Sequence, residues 1–363
     1  MTGSMYAAVS GLKTHMDALN VIGNNIANVN TFGYKSTRYT FNEALYSNVR
    51  AGSNGTSELG GRNPAQNGYG CSIGTIDLNM STSTPSPTGQ PLDCMIDGDG
   101  MFLVGDKTKT GVSSQSTLNG MELTRVGNFE FKDGYMVDGN GKVVYGFLNT
   151  ADPSLNPSFS PILTPIRFPW YNDNTKEIYM PSESEDSDNL SVEDNEEAVA
   201  MWNEAHQPGQ ASQESPVMRL KVDTLSIDEN SGQITAITSE DVQVVVGVIA
   251  IGKVESPNGL THVEGRYFQA LGGAGNVHLT SIGGVVRYPP VGDNGEPMEA
   301  EEGRLVVDSS GETKMITGVL ESSGTDLADE ISHMIVIQRG YQANTRIVTV
   351  TDSMLEELVN MKR

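Results

Sequence analysis

The chain has 363 residues, with 23 Lys and Arg against 46 Asp and Glu, a formal net charge of −23. That balance argues against nucleic acid, whose binding rests on cations that neutralise phosphates, and against an anionic membrane surface. Two cysteines, Cys71 and Cys94, cannot form a disulfide framework or by themselves close a four-ligand zinc site.

The length suits two or three domains with ordinary cores. No apolar run reaches the ~18 residues of a membrane-spanning helix. Met1 to Ser10 has neither a basic nor an apolar leader region, so no cleavable secretory signal is predicted.

The first element is a helix. Met5, Val9, Leu12, Met16, Leu19 and Ile26 follow steps of four and three, with Gly23 in the vacant slot. Met5, Leu12, Leu19 and Ile26 stand seven apart, a heptad row that asks for a partner helix. Asn28 to Tyr34 stops it, since Asn and Gly favour the left-handed turn at a helix end. Residues 48–70, rich in Gly, Asn and Ser, read as loop, and 29–75 as an irregular connector.

Alternation at Ile73, Ile76, Leu78 and Met80 opens a run of predicted hairpins. Asp97-Gly98-Asp99-Gly100 and Asp138-Gly139-Asn140-Gly141 mark turns beside the strands Met101–Val104 and Lys142–Phe147. Prolines recur every fourth residue from Pro153 to Pro169, which excludes helix and suits an extended linker. Glu183 to Glu204 holds nine acids and no base, around a helical candidate at 192–206. Strand alternation returns at Met218–Val222 and Ile234–Ile237, and the apolar run Val242 to Ile251 reads as a buried strand.

The last element repeats the first. Leu327, Met334, Tyr341, Val348 and Leu355 stand seven apart, with Ile331 and Val359 in a second row. Gly324-Thr325-Asp326 is a helix start, and Asp329 and Glu330 suit the positive end of the helix dipole. Placed at both ends of the chain, the two rows point to association with each other and with further copies; the plainer reading is an amphipathic helix lying on its own domain. The expected fold is α+β, mainly β. Heptad helices at 1–28 and 322–363 pair as a coiled coil, a β-rich domain spans 76–148 and 241–321, and an inserted acidic β-rich domain spans 149–240. Residues 1–50 and 321–363 are nearly neutral together, so almost all the negative charge lies between them. It would keep that surface in solvent by self-repulsion.

Catalytic signals are weak. Gly70-Cys71-Ser72-Ile73-Gly74 fits G-x-S-x-G, but that elbow needs a strand before it and a helix after it. Here a loop precedes and a strand-like stretch follows. The five histidines show no metal-ligand spacing, and Asp97/Asp99 and Asp228/Asn230 lack the full ligand series of a calcium loop. Neither enzyme activity, cofactor nor metal is expected. A hydrolase or a secreted adhesin with terminal oligomerisation helices is the competing reading.

Two terminal motifs carry a resemblance. Ala18 to Lys35, with Asn24, Asn25, Asn28, Thr31, Gly33, Tyr34 and Lys35, resembles the N-terminal signature of the bacterial flagellar rod and hook proteins. Gln338, Arg339, Gly340, Tyr341, Gln342, Ala343 and Asn344 resemble its C-terminal signature, and Leu320 to Leu327 the segment before it. Asn63–Gly70 and Pro91–Phe102 resemble two stretches of the family core, with Cys94 and Met101 as departures. The insertion and Ser256–Leu260 look more like the hook branch than the shorter distal-rod branch.

The resemblance implies several things about the whole molecule. The paired terminal helices line the channel of a tubular polymer, the β-domain forms its wall and the insertion lies outermost. The implied partners are copies of the chain, the rod, hook-cap and hook–filament junction proteins, and the flagellar type III export apparatus. The implied location is extracellular, without a cleaved signal peptide, and neither nucleic acid nor membrane insertion is involved.

Overall fold

The computed structural model describes residues 2–361 apart from 56–59, 108–111, 113, 151–156, 173–174, 176, 180–216, 239–241, 290–304 and 309–312. The chain divides into two compact units. The first holds Met1–Thr31, Lys35–Asn79 and Ser323–Arg363, the second Phe32–Tyr34 and Met80–Ser322. The fold is mainly β, with a long helix at each end of the chain and a β-rich body between them.

The first unit contains α1 (Thr2–Ala27), four strands, and the C-terminal helix α3 (Leu327–Asn360). Asp326 caps α3 as its sequence suggests: Oδ1 accepts from the backbone N–H of Ala328 at 2.9 Å and of Asp329 at 3.4 Å. Strand β1 (Thr37–Glu43) pairs antiparallel with β4 (Cys71–Leu78), and β2 (Tyr46–Arg50) with β3 (Ala65–Gly68). The expected irregular connector at 29–75 is therefore largely strand. In β2 and β3 nearly every side chain is exposed, so the two-residue apolar alternation that signals a strand is missing there. Gly70, at φ 103°, turns the chain into β4, and no helix follows Ser72, so the elbow geometry is not formed.

The second unit is built on one extensive sheet. The order along its main path is β16 (Val222–Ile227), β17 (Gln233–Thr238), β18 (Gln243–Val254), β11 (Val143–Leu148), β7 (Met101–Gly105), β8 (Glu122–Thr124), β20 (Tyr267–Ala270) and β19 (Leu260–His262). The centre of the sheet is β18, the apolar run expected to be a buried strand. Beyond the main path, β9 (Phe129–Lys132) and β10 (Tyr135–Asp138) extend from β11, and β21 (Val277–Ser281) joins β18 to β22 (Val307–Asp308). The short helix α2 (Gln115–Asn119) is capped by Ser114.

Three expectations change here. First, the hairpins expected after Ser72 are long-range pairs: β5 (Pro85–Pro87) with β24 (Val319–Glu321), and β6 (Cys94–Asp97) with β23 (Lys314–Thr317). Second, the proline-rich stretch is extended but not a free linker. Within it β12 (Thr164–Pro165) pairs with β11, and Leu163, Ile166 and Phe168 are buried. Proline at an edge position costs the ladder nothing on its outer side. Third, β16 and β17 continue the main sheet, and Ile227, Ile234 and Ala236 enter its core. A separate sheet in the insertion is, among the described residues, only β13 (Trp170–Asn172), β14 (Ile178–Tyr179) and β15 (Val217–Arg219). The acidic run and its helical candidate lie outside the described residues.

A buried charge pair organises one end of this unit. Arg125 donates through Nε to Glu321 Oε2 at 2.7 Å, and both side chains are sealed from solvent. The Arg125 guanidinium also donates to the carbonyls of Ile96 and Gly98 at 2.8 Å each and to that of Gly100. Glu321 in turn accepts from Ser83 N–H through Oε1 at 2.9 Å and from Gly33 N–H through its own carbonyl at 2.8 Å. The predicted Asp97–Gly100 turn is therefore the binding cup of a guanidinium. Gly33 is required twice over: its φ is 67°, and a Cβ there would lie 2.7 Å from Val126 Cγ2.

The second predicted turn is held by Asp138, whose Oδ1 accepts from Asn140 N–H and Lys142 N–H at 3.0 Å each. The Tyr267 hydroxyl donates to its other oxygen, and burial followed by this bond pushes the phenol above its ordinary pKa.

Removing one member of a buried pair strands the other charge. Arg125→Met is therefore expected to destabilise the second unit by about 3–5 kcal/mol, read from urea unfolding of the full chain. Both cysteines are free thiols. Burial, with the Asp93 charge as a second cause, raises the Cys94 thiol well above its ordinary pKa. A thiol reagent should label Cys71 in the native protein and reach Cys94 only in denaturant.

Candidate assembly interface

The two terminal helices pack antiparallel. Near one end of the pair, Asn25 Nδ2 donates to Glu330 Oε1 at 2.7 Å; further along, Ala18 and Ile22 pack on Ile337. Beyond that, the His15 ring lies over Gly340, and the Asn344 carboxamide lies over Gly11. A Cβ on Gly340 would come within 2.8 Å of His15 Nε2, and one on Gly11 within 2.5 Å of Asn344 Nδ2. Glycine here permits a close helix–helix approach, at the expense of helix propensity.

The buried residues of α1 are Ala8, Gly11, Thr14, Ala18, Ile22 and Asn25. Gly11, Ala18 and Asn25 stand seven apart, as do Ala8 and Ile22 with His15 between them. This is a heptad row, displaced by one residue toward the N-terminus from the expected one. The expected row lies beside it and stays accessible: Met5, Val9 and Met16 are exposed, while Leu12, Leu19 and Ile26 are half-buried. Leu19 and Ile26 brush the small Ala18–Ile22–Ile337 core, as does Met334. On α3, Met334 and Val348 turn partly inward, whereas Leu327, Ile331, Tyr341 and Leu355 are exposed. Sequence patterning picked out the large apolar side chains. The row that α1 buries within the chain is, apart from Ile22, made of small and polar residues, which carry little apolar signal.

Polar side chains fix α1 to its strands. Asn25 Oδ1 accepts from Thr37 N–H at 3.0 Å, and its Nδ2 donates to Thr37 O at 2.8 Å, so one buried carboxamide ties helix, strand and Glu330 together. Thr14 Oγ1 donates to Cys71 O at 3.1 Å, and His15 meets Phe41 edge-on at 5.7 Å. Asn28 Nδ2 donates to Asn24 O at 3.0 Å and its Oδ1 accepts from Thr31 at 3.1 Å, closing the helix end. Among the described residues no group of three or more His, Cys, Asp or Glu side chains is placed to hold a metal ion. No described helix is long and apolar enough to cross a membrane.

Comparison with known proteins finds two family profiles at the two ends. One, described as "Flagella basal body rod protein", matches residues 5–35; the other, "Flagellar basal body rod FlgEFG protein C-terminal", matches residues 316–361. Both ends of the chain are of the flagellar rod and hook family.

Rod-named and hook-named relatives both match along the whole length. The flagellar basal-body rod protein FlgG of Bacillus subtilis is 29% identical over 364 positions covering all of both chains. The flagellar hook protein FlgE of Borreliella burgdorferi is 25% identical over 480 positions, again covering all of both. The hook protein FlgE of Treponema pallidum is 35% identical over 135 residues, 34% of this chain and 29% of its own length. The relatives so named are structural components of the flagellum.

The signature residues at the two ends have distinct physical duties. Asn25 bridges three elements, Gly33 allows a turn that only glycine tolerates, and Lys35 is buried. Tyr34 is half-buried. Gly340 and Asn344 form the close helix contact, while Gln338 and Arg339 face outward.

Two glycines test this account. Gly23 has open space where its Cβ would stand, so Gly23→Ala should stabilise α1 by about 0.5–1 kcal/mol. Gly340→Leu should lower the thermal midpoint read by helical circular dichroism, although leucine is the better helix former.

Proposed function

We propose that this protein is a structural subunit of the bacterial flagellar hook, polymerising through its first unit into a hollow flexible tube that carries motor torque to the filament. The observation that carries this reading is the large apolar surface left uncovered on both terminal helices after they have packed on each other. Burying one such side chain is worth about 1.5–3 kcal/mol, and an exposed apolar stripe of this length marks an interaction site. We take its assembly residues to be Met5, Val9, Leu12, Met16, Leu19 and Ile26 on α1, with Leu327, Ile331, Met334, Tyr341, Val348 and Leu355 on α3.

Copies of the chain are the main partner in this reading. Rod, hook-cap and hook–filament junction proteins flank the tube, and the flagellar type III apparatus exports the subunits to an extracellular position. The hook branch is supported by the Ser256–Leu260 stretch and by the size of the insertion. In that stretch Gly259 lies so close to Gly273 that a Cβ would come within 2.1 Å of its carbonyl oxygen. A distal-rod subunit is the second reading, favoured by the end-to-end match to the Bacillus rod protein.

Electron microscopy decides both points. Val9→Asp is expected to abolish tubes formed by the purified full chain while leaving its circular dichroism and unfolding curve unchanged; tubes from this variant refute the reading. Antibody labelling of isolated hook–basal bodies should decorate the curved segment outside the cell; label confined to the straight rod selects the second reading.

A further inference from the structure

We propose that the Arg125–Glu321 ion pair is a latch at the open end of a two-stranded ribbon, made by the first and last segments of the second unit, and that it keeps the unit from being peeled apart from those ends. The proposal goes beyond the assembly reading and does not depend on it.

The pairing register defines the ribbon. Apart from residues 32–34, the second unit runs from Met80 to Ser322. On entry the chain passes through β5 and β6, and before leaving it passes through β23 and β24. Pro85 stands opposite Glu321 and Pro87 opposite Val319; further in, Cys94 stands opposite Thr317 and Asp97 opposite Lys314. Between the two pairs the Gly318 carbonyl accepts from Thr88 N–H at 3.0 Å, and Gly318 N–H donates to Asp93 O at 2.8 Å, so the ladder carries on across the interruption. Neither pair joins the main sheet. Entry and exit therefore lie at the same end of the ribbon, beside Pro85 and Glu321.

That layout has a weak direction. A load that separates residues 81 and 322 falls on one bond at a time, beginning with Ser322 N–H to Thr84 O at 3.1 Å. Each neutral bond that opens is replaced by bonds to water. Strand β5 has three residues, and two are prolines that cannot donate. A bare ribbon of this kind would open progressively from its mouth.

The next group inward is of another kind. The Glu321 carboxylate, sealed from solvent, accepts from Ser83 N–H through Oε1 and from Arg125 Nε through Oε2. Arg125 follows β8 and belongs to neither ribbon segment, yet its guanidinium also holds the carbonyls of Ile96, Gly98 and Gly100 on the entry side. One side chain thus grips the exit segment at 321 and the entry segment at 96–100. Charge-assisted bonds are about twice as strong as neutral ones, and opening the mouth would separate two buried charges. The barrier to peeling lies at this first step.

Single-molecule stretching of the full chain tests this. In a Cys71→Ser background, with Cys94 left buried, handles are attached at one of two pairs of sites. Ser81→Cys with Ser322→Cys loads the mouth; Asp223→Cys with Thr261→Cys loads the edge strands β16 and β19 of the main sheet. Circular dichroism verifies that each variant is folded before loading. With handles at the mouth, the native pair should hold the ribbon until one abrupt opening. Glu321→Gln, which keeps the shape and removes the charge, should speed that opening about tenfold or more at a fixed load. With handles on the sheet edges the same substitution should change the rate by less than about threefold. Equal acceleration in the two geometries makes the pair a general stabiliser and overturns the proposal; so does no acceleration at the mouth. Should Glu321→Gln not fold, the chain with native Glu321 decides: one abrupt opening upholds the latch, and gradual lengthening from the mouth under rising load overturns it.

Discussion

The close approach of the two end helices at Gly11 and Gly340 is the constraint from which the character of the first unit follows. The two helices touch through glycine, alanine, the buried pair Ile22 and Ile337, and a few polar groups. Several of their large side chains, Met5, Val9, Met16, Ile331 and Val336 among them, are left exposed on the flanks. A conventional amphipathic pair would have closed its leucines and methionines inside and presented a polar surface. Here the arrangement is reversed. The internal contact is specific, with Asn25 reading the positions of Thr37 and Glu330 at once, and large apolar side chains remain exposed beside it.

The second unit is stabilised in a different way. Its sheet has a core of ordinary size and composition, centred on β18 and β11. Its distinctive feature is the cup of carbonyls from residues 96, 98 and 100 filled by Arg125. A guanidinium is suited to this role because it offers several donors in a fixed plane and stays charged at any ordinary pH. Glu321 balances that charge and extends the network to residues 83 and 33. Five stretches of chain, around residues 33, 83, 96–100, 125 and 321, are thereby tied by one ion pair and its hydrogen bonds.

Much of this was legible in the sequence. The two helices, the capping Asp326, the Asp-Gly turns and the buried strand at 243–254 follow from periodicity and turn chemistry. The first and last signatures, through their resemblance, indicated the family that the comparisons show. The phase of the helix pairing was hidden, because alanine and glycine look like spacers when apolar residues are counted. Strands β2 and β3 were hidden for a related reason: nearly all their residues are exposed, so no alternation records them. The partners of β5 and β6 lie more than 200 residues away, and local turn signals carry no information about such pairings. Arg125 drew no attention as a lone basic residue in a strand-rich stretch, because its importance comes from groups that only the fold assembles.

One bond near that ion pair has a mechanical consequence. The backbone N–H of Gly33, just past the N-terminal helix, donates to the carbonyl of Glu321, just before the C-terminal one. A pull entering the second unit at residue 33 can therefore pass to residue 321 directly, without travelling through the more than 200 residues of sheet threaded between them.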